Sequence, residues 1–166
     1  MKDKFKKEKI VGFAGHRHEW QNVGIEAKLK ETIIELIEKG YNVFYCGDKG
    51  YFDELSAKIV LQLKEQYPQI KLYSILTAYH EDKEKWQLPR GYDGSLYPEL
   101  GKCHFKAKIT KKNEWIVDNI DILVCYVHQT LNSGAFNTVK SARKIGKPII
   151  YLEPQQTSSQ GDLNKK

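Results

Sequence analysis

Lys9–Ala14 (KIVGFA), followed by Gly15-His16-Arg17, is the stretch that decides the fold. Its first six residues form a short, mostly apolar run that is rich in strand-forming types, which predicts a buried β-strand. The strand leads into a glycine and two basic residues, a sequence suited to a loop that approaches an anionic ligand. The remainder of the chain repeats this alternation of short apolar strand, loop and helix.

Four further strands and four helices are predicted from apolar periodicity and turn residues. The strands are Tyr41–Cys46, Ile70–Ala78, Asp121–Val127 and Pro148–Leu152. The helices are Ile25–Lys39, Asp53–Gln66, Lys106–Asn119 and Ser133–Ile145, with Gly40 and Gly146 at left-handed helix ends and Ser133 as an N-cap. We also expect a short helix at Glu81–Trp86 and irregular chain over Pro89–Pro98.

Alternating strands and helices predict a Rossmann-like, three-layer α/β fold with a mainly parallel five-stranded sheet. The long segment between strands 3 and 4 is the natural crossover from one sheet edge to the centre. This gives the strand order 3-2-1-4-5, with the topological switch between strands 1 and 4. Ligands of such sheets bind at the carboxyl ends of the strands beside the switch.

Length and charge predict one domain at residues 9–154, a flexible basic N-terminus at 1–8 and a disordered tail at 155–166. Of the net charge of +6, residues 1–9 carry +3 and residues 155–166 carry +1. The remaining +2 argues against nucleic acid as a partner, because duplex binding needs a concentrated basic face. Three sparse cysteines and the absence of ~20 consecutive apolar residues favour a cytoplasmic protein without a membrane span.

One basic run lies inside the predicted domain. Residues 101–112 contain five lysines (102, 106, 108, 111 and 112) and no acid. A solvated helix face is the favoured interpretation, and attraction of an anionic ligand to a nearby site is the alternative.

The candidate site combines the loops after strands 1, 2 and 4. At the switch point, Gly15-His16-Arg17 meets the segment Ser133–Thr138 (SGAFNT), where a glycine at a helix start suits a phosphate. The loop after strand 2, Gly47–Asp53 (GDKGYFD), forms a third wall, and Asp53 is either a first-turn acid or a carboxylate that binds ligand hydroxyls. No G-x-G-x-x-G fingerprint, P-loop or zinc spacing is present, so we expect neither a nicotinamide cofactor nor a metal.

These residues resemble the SLOG superfamily, named for the Smf/DprA and LOG proteins, and in particular its small stand-alone bacterial and phage-type members. The similarity spans Ile10 to Leu152. Its markers are Gly15-His16-Arg17, Gly50-Tyr51-Phe52-Asp53, Tyr97-Pro98-Glu99, Lys112-Asn113-Glu114-Trp115, Asp121-Ile122-Leu123-Val124 and Ser133-Gly134-Ala135-Phe136-Asn137-Thr138.

The resemblance implies a Rossmann-like domain that binds a nucleotide or nucleotide-derived molecule, as an intact ligand in a sensor or sequestering module. Some branches of the superfamily act as sensors in anti-phage systems. The ligand-binding set that we expect is Gly15, His16, Arg17, Gly47, Gly50, Phe52, Asp53, Tyr79, Asn113, Ser133, Gly134, Ala135 and Asn137. Apolar helix faces could also support a homodimer.

The resemblance also raises an enzymatic alternative, because the LOG branch hydrolyses the N-glycosidic bond of nucleotides. Lys140 stands where that branch carries its motif glutamate, and a lysine facing the sugar would oppose the oxocarbenium-like transition state. Asp53 or Glu99 could substitute as the catalytic acid. Binding without cleavage is therefore the favoured interpretation, N-glycosidic hydrolysis is the alternative, and a DNA-binding accessory role is third.

Overall fold

The computed structural model describes residues 8–78, 87–128 and 133–154. Within these ranges the chain forms strands β1 (Ile10–Gly15), β2 (Val43–Gly47), β3 (Lys71–Ile75), β4 (Gly94–Leu96), β5 (Ile122–Tyr126) and β6 (Ile149–Tyr151). Its α-helices are α1 (Glu26–Glu38), α2 (Tyr51–Leu63), α3 (Phe105–Asn119) and α4 (Gly134–Lys144), and Glu19–Asn22 is a short 3-10 helix. None of these helices is long and apolar enough to cross a membrane.

The six strands lie in the order β4-β3-β2-β1-β5-β6, and every neighbouring pair is parallel. The predicted order 3-2-1-4-5 is confirmed for the five predicted strands, whereas the count of five was wrong. The additional edge strand, β4, lies within Pro89–Pro98, which was predicted to be irregular. The sequence of β4 has no apolar run, and contacts from elsewhere in the fold hold this strand in place. Asp93, just before it, accepts hydrogen bonds from the Leu72 backbone N–H (2.8 Å) and the Lys64 ammonium (2.6 Å).

Helices cover both faces of the sheet, which confirms the three-layer fold. Alternate residues of β1 point to opposite layers, so Val11 and Phe13 pack with α1 and α2, and Ala14 packs with α3 and α4. The two cores are continuous apolar clusters. Cys46 and Cys125 are buried free thiols within these cores, as small core residues.

The topological switch point of the sheet lies between the neighbouring strands β1 and β5. Gly15 pairs with Tyr126 at the carboxyl ends of the two strands, and the chain leaves them toward different sides. Left-handed glycines end two helices as expected, with φ of 100° at Gly40 and 72° at Gly146. The helix predicted at Glu81–Trp86 and most of both chain ends lie outside the described residues, so the domain limits stay a prediction.

Candidate functional site

A cavity of about 490 Å³ opens at the carboxyl end of β1, bordered by the β1 loop and the first turns of α2, α3 and α4. Eight of the predicted ligand-binding residues line it: Gly15, His16, Arg17, Asp53, Asn113, Ser133, Gly134 and Ala135. Its volume is within the roughly 300–1,000 Å³ typical of small-molecule pockets. The switch-point argument therefore located a real concavity.

The other predicted residues lie around this cavity or away from it. Gly47 and Phe52 shape its walls without lining it, as described below, and Gly50 is the N-cap residue of α2, with a left-handed φ of 105°. Asn137 and Glu99 are exposed and do not line it, and Tyr79 lies outside the described residues.

The β1 loop is attached to the start of α2 by backbone hydrogen bonds. The N–H of Tyr51 donates to the Arg17 carbonyl (2.8 Å), and the N–H of Phe52 donates to the His16 carbonyl (3.2 Å). These bonds satisfy donors of the first helical turn that have no acceptor within the helix. A Cβ on Gly15 would lie 2.0 Å from the Phe52 ring, so the buried phenylalanine requires glycine at the end of β1. Gly15 and Phe52 together set the shape of the loop.

His16 connects the β1 loop to the β5 loop. The His128 backbone N–H donates to His16 Nε2 (2.9 Å), and the two imidazole rings stack with centroids 4.7 Å apart. Burial, followed by the neighbouring His128, lowers the pKa of His16. A neutral ring that accepts at Nε2 carries its hydrogen on Nδ1. That buried Nδ1 has no hydrogen-bond partner within the described ranges.

The N-terminus of α4 is the second donor surface of the cavity. Ser133 Oγ accepts a hydrogen bond from the Phe136 N–H (3.2 Å), which confirms the predicted N-cap. Gly134 and Ala135 line the cavity, and their N–H groups belong to the first turn, which has no carbonyl of its own helix to bind. The first turn of α4 contains no acid. The positive end of the helix dipole is thus uncompensated by the helix itself.

Asp53 is the acid of the cavity wall. Its carboxylate accepts a hydrogen bond from the Gly47 N–H, and a Cβ on Gly47 would lie 2.8 Å from Asp53 Oδ2 and 2.9 Å from Lys112 Nζ. Glycine at position 47 therefore lets these two charged groups approach the backbone closely, and a larger residue would displace them. Burial raises the pKa of Asp53 to about 6, since it outweighs the opposing effects of Lys112 and of the Gly47 hydrogen bond.

Lys112 is buried within this wall, with its side chain 1% exposed. Its Nζ lies 3.5 Å from Asp48 Oδ1, and Asp48 is held in turn by the Thr77 N–H (2.9 Å) and hydroxyl (2.6 Å). The solvated helix face predicted for residues 101–112 was wrong at this position. The signal was present in the sequence, because Lys112 stands at helical spacing from Ile109 and Ile116, on the inward face of α3.

Basic groups dominate the cavity wall. Arg17, Lys49, Lys106 and Lys112 line it, and of the described residues Asp53 is its one acid. Neither Lys49 nor Lys106 was in the predicted ligand-binding set. Lys49 does lie in the loop predicted as the third wall, and Lys106 lies in the basic run for which attraction of an anionic ligand was the alternative interpretation. The described part of the chain contains no group of three or more metal-ligating side chains. The basic lining of the cavity suits an anionic ligand.

Lys140 does not face this cavity. Its side chain is exposed, and its ammonium lies 5.6 Å from the centroid of the Phe136 ring on the outside of α4. The expectation that Lys140 confronts the ligand's sugar was therefore wrong. The side chain that α4 turns toward the cavity beyond its first turn is Thr138.

Fold and site together define a Rossmann-like α/β protein with a basic cavity at the switch point of its sheet. The chain belongs to the YspA SLOG family, whose model matches residues 5–92. It is 25% identical over 143 residues to a UPF0398 protein of Bacillus pumilus (77% of this chain, 74% of the relative). It is 26% identical over 155 residues to a UPF0398 protein of Halalkalibacterium halodurans (86% and 72%).

Two solved structures of the molybdenum cofactor carrier protein of Chlamydomonas reinhardtii have a similar fold. One superposes with a TM-score of 0.58 at 14% identity, covering 87% of this chain and 76% of the carrier. The other superposes with a TM-score of 0.54 at 13% identity, covering 96% and 84%. At such identities the similarity shows a shared fold.

Proposed function

We propose that the protein binds an anionic, nucleotide-derived small molecule in the switch-point cavity and acts as a sensor or sequestering module. The observation that supports this proposal is the charge of the cavity wall, where four basic side chains accompany the single acid Asp53 among the described residues. The chain outside its two ends has an excess of only two positive charges, so this concentration is local. A cluster of one sign in a concave site raises the local concentration of ligands of the opposite sign.

The anionic group of the ligand is proposed to lie between Arg17 and the start of α4. The N–H groups of Gly134 and Ala135 offer hydrogen bonds there, and the helix dipole favours negative charge. Arg17 is exposed at the rim and offers a bidentate fork to a phosphate.

The fold comparison supports a binding role. The Chlamydomonas protein of similar fold is a molybdenum cofactor carrier, that is, a protein named for a small molecule that it carries. SLOG membership is consistent with the nucleotide class expected from the sequence.

Arg17→Ala tests the proposal directly. We expect the affinity for nucleoside mono- and diphosphates, measured by calorimetry, to fall by about 1.5–3 kcal/mol, the range of a charge-assisted hydrogen bond. Lys30→Ala removes the same charge from an exposed position on α1 and is the matched control. Equal affinity of the folded Arg17→Ala and Lys30→Ala proteins would contradict this placement.

Hydrolysis of the N-glycosidic bond is the second candidate, favoured by one observation. Asp53 is a carboxylate within the cavity whose pKa of about 6 leaves it ionised at neutral pH. An ionised carboxylate beside the sugar would stabilise an oxocarbenium-like transition state. Chromatography of nucleoside monophosphates incubated with the protein decides between the two. Absence of free base at rates near the ~10 per second typical of enzymes would support binding without cleavage; release that is lost in Asp53→Asn would establish the enzyme.

A further inference from the structure

We propose that His18, backed by Trp20, and Phe105 form a subsite for the aromatic ring of the ligand at the mouth of the cavity. This inference rests on the proposed function, because it assigns the second part of a ligand whose anionic part lies at Arg17 and α4. His18 and Phe105 line the cavity. Trp20 is 72% exposed and Phe105 is 52% exposed.

The rings come from two segments that border the same cavity. The imidazole of His18 and the indole of Trp20 are nearly parallel, with centroids 6.2 Å apart and an interplanar angle of 8°. Phe105 is the first residue of α3, and Lys106, Ile109 and Thr110 behind it also line the cavity. Single exposed aromatic residues are ordinary on a protein surface. Two aromatic surfaces on one basic cavity form a wall suited to a planar ring.

The segment that carries His18 and Trp20 is held in place before any ligand binds. Asn22, the last residue of the 3-10 helix, donates from Nδ2 to the carbonyls of His16 (2.9 Å) and His18 (2.7 Å). Gln21 Oε1 accepts from the His18 N–H (3.1 Å), and the Gln21 carbonyl lies 3.1 Å from His128 Nε2. A ligand therefore meets a largely ordered surface, which reduces the entropy lost on binding.

Stacking of a base on an aromatic side chain and an ionic contact to its phosphate are separable contributions. Alanine substitution at stacking residues weakens binding of single bases by roughly 5- to 100-fold. The matching probes are AMP and ribose 5-phosphate, which share the sugar and phosphate and differ in the base. The wild-type protein is expected to bind AMP at least about 5-fold more tightly than ribose 5-phosphate in calorimetry.

Trp20→Ala and Phe105→Ala are each expected to reduce this preference for AMP while leaving the affinity for ribose 5-phosphate within about twofold. Val23→Ala, which alters an exposed apolar residue (71%) next to the same 3-10 helix, is the control and is expected to keep the wild-type preference. Thermal unfolding of each variant verifies the fold. AMP is also expected to quench indole fluorescence in the wild-type protein and to quench it less in Trp20→Phe, because the Trp20 ring lies parallel to the ring of His18, which lines the cavity.

Equal affinity of the wild-type protein for AMP and ribose 5-phosphate would overturn the aromatic subsite and leave the proposed anion site intact. An unchanged preference for AMP in both alanine variants would also overturn it. Absence of binding by both probes at millimolar concentration would overturn the proposed function and this inference together.

Discussion

Replacing Asp53 by Asn is expected to stabilise the unliganded protein at neutral pH. Folding raises the pKa of this carboxyl from 3.8 to about 6. Each pKa unit corresponds to about 1.4 kcal/mol, so ionised Asp53 destabilises the folded state by an amount on the order of 3 kcal/mol. Because the side chain is only partly buried, we expect Asp53→Asn to raise the free energy of unfolding by roughly 1–3 kcal/mol at pH 7.5. The amide retains an acceptor for the Gly47 N–H.

The gain in the free energy of unfolding that we expect from Asp53→Asn depends on pH. A raised folded-state pKa means that the folded protein binds the proton more tightly, so the wild type loses stability as pH rises from about 4 to about 6. The difference between Asp53→Asn and wild type is therefore expected to be near zero at pH 4 and complete above pH 6. Urea unfolding across this range measures it, with Glu54→Gln, an exposed neighbour on the same turn, as the control. The reasoning would be refuted if Asp53→Asn were less stable than wild type at pH 7.5, or if its gain in the free energy of unfolding were the same at pH 4 and pH 7.5.

Three further outcomes are expected. Gly15→Ala should lower stability in urea by about 3 kcal/mol, because its Cβ would lie 2.0 Å from the Phe52 ring, whereas Gly134→Ala, whose Cβ meets no atom within 4 Å, should not lower it. Folding lowers the pKa of His16, so the wild-type protein should lose stability relative to His16→Gln as the pH falls below about 6.5. Plots of the free energy of unfolding against pH that run parallel for the two proteins would contradict this. A chain trimmed to residues 9–155 should melt within about 8 °C of the full chain, and a larger fall would mean that an end packs on the core.

The fold could be predicted from the sequence because local and global signals agree. The apolar runs of β1, β2, β3 and β5 coincide with buried strands, and their alternation with helices determines a parallel sheet. β4 could not be predicted, because three residues with no apolar pattern pair with β3 through contacts made across the fold. Edge strands of this length carry little periodicity of their own.

The position of the candidate cavity was predictable, whereas its charged lining was predicted only in part, and ligand binding there stays a prediction. The loop after β1 and the start of α4 were located from topology alone, because parallel sheets open at the switch point. Lys112 and Lys140 show where one-dimensional reasoning fails. The first was assigned to solvent and is buried, and the second was assigned to the ligand and lies on the outer side of α4. Their roles depend on the rotation of α3 and α4 about their own axes, and no local motif fixes that rotation.

Three unusual polar groups of the described residues lie in one place. His16 has a buried nitrogen without a partner among these residues, Asp53 has a raised pKa, and Lys112 is buried and paired with Asp48, and all three line the same cavity. The unsatisfied nitrogen of His16 costs the folded protein an amount on the order of 1–3 kcal/mol, and ionisation of the buried Asp53 carboxyl costs a similar amount. Negative charge on a ligand would be attracted by the basic side chains of the wall and would disfavour the ionised form of Asp53. Binding of an anionic ligand is therefore expected to raise the pKa of Asp53 further, so that this carboxyl holds its proton more tightly in the complex.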